Sequence, residues 1–86
     1  MKRYNVVFSK SAEKDIERLP ANAVEKIIPV IISLEEDPRP PACKKLKGYT
    51  DLWRIRIGNY RVIYAIEDKI LVVDVREVGD RKNIYK

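Results

Sequence analysis

The sequence predicts an α+β fold of order β-α-α-β-β-β, an antiparallel-rich twisted sheet packed against an αα-hairpin. Apolar residues recur at helical spacing in two consecutive segments of the first half. In the second half they alternate through successive segments, two of which are joined by Gly58-Asn59. With 86 residues, the chain suffices for one compact domain spanning residues 1–86 and leaves no room for a second core.

Tyr4, Val6 and Phe8 alternate with Asn5 and Val7, the period of a short strand with one face on a core. Ser9 follows as a helix N-cap, its hydroxyl available to an orphan amide. Ala12, Ile16 and Leu19 then fall on one face and Glu13, Lys14, Asp15, Glu17 and Arg18 on the other, so a first helix ends near Leu19-Pro20. Val24, Ile27, Ile28, Ile31 and Leu34 mark a second helix from about Asn22 to Glu36, stopped by Pro38. Pro29 lies inside that pattern. A helix-interior proline costs about 3 kcal/mol, so the expectation is a kink there or a later helix start.

Pro38-Arg39-Pro40-Pro41 reads as an extended connector, and Lys44-Lys45-Leu46-Lys47-Gly48 as a basic loop after it. From Trp53 the alternation is strict: Trp53, Ile55 and Ile57 share one face, Arg54 and Arg56 the other. Gly58-Asn59 supplies a two-residue hairpin turn of the kind that needs positive φ. Tyr60, Val62, Tyr64 and Ile66 then lie on one side with Arg61 opposite. After the turn Glu67-Asp68-Lys69, a last strand is expected from Ile70 to Val78, broken by Gly79-Asp80.

Composition removes several chemistries. There is no histidine, and Cys43 is the one cysteine, so a Ser-His-Asp triad, a Cys-His pair, an internal disulfide and the usual zinc sites are excluded. Ser9, Ser11 and Ser33 sit in no nucleophile-elbow or phosphate-loop context. An enzyme built from this chain works with Arg, Lys, Tyr and carboxylates. No apolar run approaches the roughly 20 residues of a membrane span, and the first residues do not read as a signal sequence, so the expected location is cytoplasmic.

The net charge of +5 lies wholly in the second half: residues 1–43 carry seven Lys/Arg and seven Asp/Glu, residues 44–86 eleven and six. A surface facing a polyanion and a merely solvated surface both fit that asymmetry. Arg54, Arg56 and Arg61 narrow the choice, because two strands joined by a tight turn put all three opposite the apolar face. Like charges across neighbouring strands favour a phosphate between them. The competing account pairs each arginine with Asp51, Glu67, Asp74 or Glu77.

Taken together, Phe8-Ser9-Lys10-Ser11-Ala12, the αα-hairpin, Lys45-Leu46-Lys47-Gly48, the block Trp53-Arg54-Ile55-Arg56-Ile57-Gly58-Asn59-Tyr60-Arg61-Val62-Ile63-Tyr64, and Val78-Gly79-Asp80-Arg81 with Tyr85 resemble the RelE/ParE toxin superfamily, specifically its RelE branch. The resemblance covers nearly the whole chain and implies the β-α-α-β-β-β fold read above. It implies a type II toxin that enters the ribosomal A site and cleaves mRNA, the 2′-hydroxyl attacking the adjacent phosphate, with no metal or other cofactor. It assigns Arg54 and Arg56 to two basic strand positions and Arg61 to phosphate binding. Arg81 takes phosphorane stabilisation and leaving-group protonation, and Tyr85 stacking on or orienting the nucleotide. Lys47, with Lys44 and Lys45 beside it, falls to the RNA backbone.

This chain departs from the family pattern in carrying Arg54 and Arg56 where the best-studied members have lysines. Arginine stays protonated at any relevant pH, which leaves the base among Tyr85, Glu77, Asp80, a ribosomal group, or none, with orientation and charge stabilisation sufficing. A terminal aromatic such as Tyr85 also serves as a packing anchor. Trp53, Tyr60 and Tyr64 read as core, and Cys43 as inert. The implied partners are a RelB-like antitoxin, acidic in character, and the ribosome with its mRNA. Two other functions remain compatible with the fold: gyrase inhibition of the ParE kind, and antitoxin binding without catalysis.

Overall fold

The structure, a computed structural model, describes residues 3–46, 48 and 51–80. The elements run β1 (Asn5–Phe8), α1 (Lys10–Glu17), α2 (Ala21–Ser33), β2 (Cys43–Lys45), β3 (Leu52–Ile57), β4 (Tyr60–Glu67) and β5 (Val72–Asp80). The α+β architecture matches the expectation, with β2 as an added strand. The five strands form one sheet in the order β1-β5-β4-β3-β2, in which β1 lies parallel to β5 and the other pairs are antiparallel. No helix of the described residues is long and apolar enough to cross a membrane.

Ser9 starts α1 as its sequence position suggests. Its Oγ accepts the Ala12 N–H at 3.1 Å, satisfying one of the amides that the first helical turn leaves without a partner. The same Oγ donates to the Arg76 carbonyl at 3.1 Å, and Asp15 Oδ2 accepts the Val78 N–H at 3.0 Å. These two bonds answer a specific need. The β4–β5 ladder skips a residue between Ile63 and Tyr64, whose partners are Glu77 and Val75, so Arg76 bulges. Strand β1 ends at Phe8, opposite Val75, leaving the rest of that β5 edge to be covered by α1.

Ala23, Ile27, Ile31 and Leu34 are buried along α2 and its C-cap, and they meet Ile55, Val62, Tyr64, Ile66, Val73, Val75 and Val78 from one face of the sheet. Helix α2 begins at Ala21 and continues through Pro29, so the later start is not what occurs. Pro29 is on the exposed side, where water can serve the carbonyl its missing N–H leaves unpaired. The helix stops at Ser33, short of Glu36, with a turn leading into Pro38.

Two expectations are corrected. Cys43–Lys45 is not loop: it pairs as an edge strand with Trp53–Ile55. Gly79-Asp80 does not break the last strand either, because Arg61 and Tyr60 of β4 extend far enough to pair with both residues. Between β3 and β4, Ile57 pairs with Tyr60 and encloses the two-residue loop as expected, with positive φ (61°) at Gly58 alone. That is the demand a type II′ turn makes on its first central residue.

The connector is anchored from two sides. Buried Tyr64 donates its hydroxyl to the Pro38 carbonyl at 2.8 Å. The Arg39 guanidinium grips Asp68 with bonds of 3.2 and 2.9 Å and lies 5.1 Å from the centre of the Trp53 ring, while Tyr4 Oη donates to Asp68 at 2.6 Å. The Asp68 carboxylate holds both the Tyr4 hydroxyl and the Arg39 guanidinium in their protonated forms, raising each pKa.

Candidate nucleic-acid interface

Strand register decides which cations share a surface. Across the sheet, Lys44 stands opposite Arg54, Arg54 opposite Ile63, and Ile63 opposite Glu77. In the neighbouring row Arg56 stands opposite Arg61, and Arg61 opposite Gly79. The alternate residues Trp53, Ile55, Val62, Tyr64, Val75 and Val78 belong to the helix-covered core. Lys44, Arg54, Arg56 and Arg61 therefore lie together on the face the helices leave uncovered.

Lys45 does not join them. It pairs with Trp53 and so sits on the helix side of the same edge strand. Lys47, Arg81 and Tyr85 lie outside the described residues. Their assignment to the site rests on sequence alone.

The four cations differ in depth. Arg61 is buried, with 8% of its surface exposed, in a central strand; Arg54 is half-buried; Arg56 and Lys44 are exposed. Direct cross-strand pairing of Lys44 with Arg54 and of Arg56 with Arg61 is repulsive in an isolated sheet and becomes favourable when an anion lies between them. One carboxylate proposed as a competing partner is already engaged: Asp74 holds Arg76 of its own strand at 2.9 Å. Glu77 is exposed on the cationic face, two strands from Arg54 with Ile63 between them.

Sequence patterning did not anticipate the apolar centre of this face. Ile63 and Ala65, on the Arg61 side of β4, are 6% and 5% exposed although neither belongs to the helix-side core. The signal was present in the unbroken apolar run Val62–Ile66, which marks a strand buried on both faces. Arg54, half-buried, stands directly opposite Ile63, a register in which an arginine stem can cover an apolar neighbour.

Known proteins share this sequence pattern and fold. A family profile described as "ParE toxin of type II toxin-antitoxin system, parDE" matches residues 6–85. The chain belongs to the RelE/ParE superfamily of type II toxins. Toxin RelE3 of Methanocaldococcus jannaschii is 31% identical over 93% of this chain and 93% of its own length. The mRNA interferase toxin RelE of Escherichia coli is 31% identical over 92% of this chain and 84% of its own. In a crystal structure of the archaeal RelE–RelB complex from Pyrococcus horikoshii, the matching chain superposes with a TM-score of 0.81 at 31% identity, covering 96% of this chain and 99% of that one. With fold and sequence in agreement, this is a RelE-like toxin.

Proposed function

We propose that this RelE-like toxin is an endoribonuclease that cleaves mRNA in the ribosomal A site without a metal or other cofactor. The observation that carries the reading is the convergence of Lys44, Arg54, Arg56 and Arg61, from three strands, on the helix-free face. A single-stranded ribonucleotide backbone is the polyanion whose phosphates match such a surface. The mRNA interferase designation of the Escherichia coli relative supports the same chemistry.

In the proposed reaction the 2′-oxygen bonds to phosphorus as its proton passes to a base, and the bond to the 5′-oxygen breaks as that oxygen gains a proton. The products are a 2′,3′-cyclic phosphate and a 5′-hydroxyl. Arg61, fixed and largely dehydrated, stabilises the charge of the crowded phosphorane, with Arg54 and Arg56 binding the flanking phosphates. Arg81 donates to the leaving oxygen and Tyr85 holds the nucleotide, while Lys44 and Lys47 contact the RNA backbone; Lys45, on the helix side of its strand, does not. The ribosome presents the codon in line for attack, which a freely rotating RNA does not do.

The partner is a RelB-like antitoxin, in keeping with the RelB bound to the Pyrococcus horikoshii relative. Acidic segments of such a protein would neutralise the same cations. The site of action is the cytoplasm.

One observation favours a second reading, gyrase inhibition of the ParE kind: the matching profile is named for ParE toxins. A translating extract separates the two. The wild-type chain should cut ribosome-bound message and leave free RNA intact, and Arg61→Ala should slow cutting by about 10²–10³-fold, the usual loss for one preorganised charge-stabilising group. Intact message together with blocked supercoiling would favour gyrase. Inactivity in both assays would leave an antitoxin-binding module.

A further inference from the structure

Gly79 is a glycine that nothing inside the described molecule requires. It sits within β5, paired with Arg61, and its φ lies outside the positive range that only Gly48 and Gly58 occupy among the described glycines. A Cβ built on it meets no heavy atom of the described residues within 4 Å, so none of them forbids a side chain. Glycine nevertheless weakens a strand, through lost side-chain packing and greater unfolded-state entropy. Where neither conformation nor packing among the described residues demands it, a strand glycine marks a site of close approach by another molecule.

The register says what would approach. Gly79 ends the row Arg56–Arg61–Gly79 on the cationic face, and any side chain there would project from the same face as buried Arg61, directly opposite it in the ladder. We propose that the bare β5 backbone at Gly79 is the seat on which the ribose–phosphate of the substrate RNA comes to rest, bringing its phosphodiester within reach of Arg61. Gly79 is thus a contact residue that acts by leaving room. The proposal rests on the RNA-directed reading of this face and adds to it the point of contact.

The test is a size series, Gly79→Ala and Gly79→Val, in the full chain. Three quantities are read: the melting temperature, the affinity for a fluorescent single-stranded oligoribonucleotide, and cleavage of message in a translating extract. The expected result is an unchanged or higher melting temperature, with affinity falling a few-fold for alanine and about tenfold or more for valine, the scale of a steric insertion into a fitted contact. Cleavage should fall in the same order.

Wild-type affinity and cleavage in Gly79→Val would overturn the seat while leaving the nuclease reading standing. So would a loss that follows a falling melting temperature in both variants, since that is a structural role. If the wild-type chain cuts no message but oligoribonucleotide affinity still falls with side-chain size, the seat stands and the nuclease reading falls.

Discussion

Lys44 and Lys45 offer a controlled experiment built into the sheet. They are adjacent, both exposed, both on the three-residue edge strand β2, and each substitution to glutamine removes the same single charge. They differ in facing: Lys44 pairs with Arg54 on the cationic face, and Lys45 with Trp53 on the helix side. On single-stranded nucleic acid each neutralised phosphate adds about 0.7 to the slope of log affinity against log salt. Lys44, Arg54, Arg56 and Arg61 together therefore contribute a slope of about −2.8, or about fifty-fold in affinity between roughly 50 and 200 mM salt. Lys44→Gln should reduce the slope magnitude by about 0.7, weakening binding more at low salt than at high. Lys45→Gln should leave the slope unchanged, because Lys45 projects from the opposite side of the sheet and neutralises no phosphate on the cationic face. Fluorescence anisotropy with a short oligoribonucleotide across a salt series measures both. Equal changes in the two variants would mean that total charge, not strand facing, governs binding, and the geometric case for the site would fail.

Two further predictions concern the framework that holds the site. Asp15→Ala strips the Val78 N–H of its acceptor where β5 runs past the end of β1, and should destabilise the protein by about 2 kcal/mol, whereas Asp15→Asn, which keeps an acceptor oxygen, should cost less than half as much; urea denaturation compares them. Identical losses would show that the hydrogen bond is not the source. Tyr64 supplies a pH test: burial, first among its causes, raises its folded pKa above the unfolded value of about 10, so its contribution to stability is complete below that pH and is lost as pH rises beyond it. Tyr64→Phe should cost about 1 kcal/mol at neutral pH through the lost bond to the Pro38 carbonyl, yet show a shallower loss of stability above about pH 10. Parallel stability–pH curves for the two proteins would refute the assignment.

The elements legible in the sequence were those with a strong repeating pattern. Ile27, Ile31 and Leu34 declared the second helix, and Gly58-Asn59 fixed the hairpin whose register puts Arg56 across from Arg61. Strand β2 was invisible because three residues at an edge, two of them lysines, carry no apolar alternation; its existence depends on the ladder that β3 offers. The continuation of β5 through Gly79 and Asp80 was hidden for a similar reason: glycine ordinarily signals a break, and here pairing with Arg61 and Tyr60 outweighs that preference. The bulge at Arg76 and its capture by Ser9 and Asp15 join residues more than sixty positions apart, a distance at which spacing rules have nothing to say. For the same reason the parallel seat of β1 against β5 required coordinates.

The period of two in a strand separates stability from charge. Ile55, Val62 and Tyr64 hold the core, so the intervening positions are open to residues that packing alone would never select. Arg61 is the exception, because it is buried and flanked by strands on both sides. In the proposed reaction a guanidinium so buried would reorganise little as charge develops on the substrate, and would act through a medium of lower dielectric than water. Lys44 and Arg56, exposed around it, lack that rigidity but reach further into solvent, where they attract a polyanion before contact. Exchanging the two kinds of position would fail on both counts: a mobile cation in the centre reorganises at the transition state, and a rigid one at the rim is screened by water and salt. The graded burial along Arg56, Arg54 and Arg61 is therefore what a surface needs if it must first gather an RNA backbone and then act on one phosphate of it.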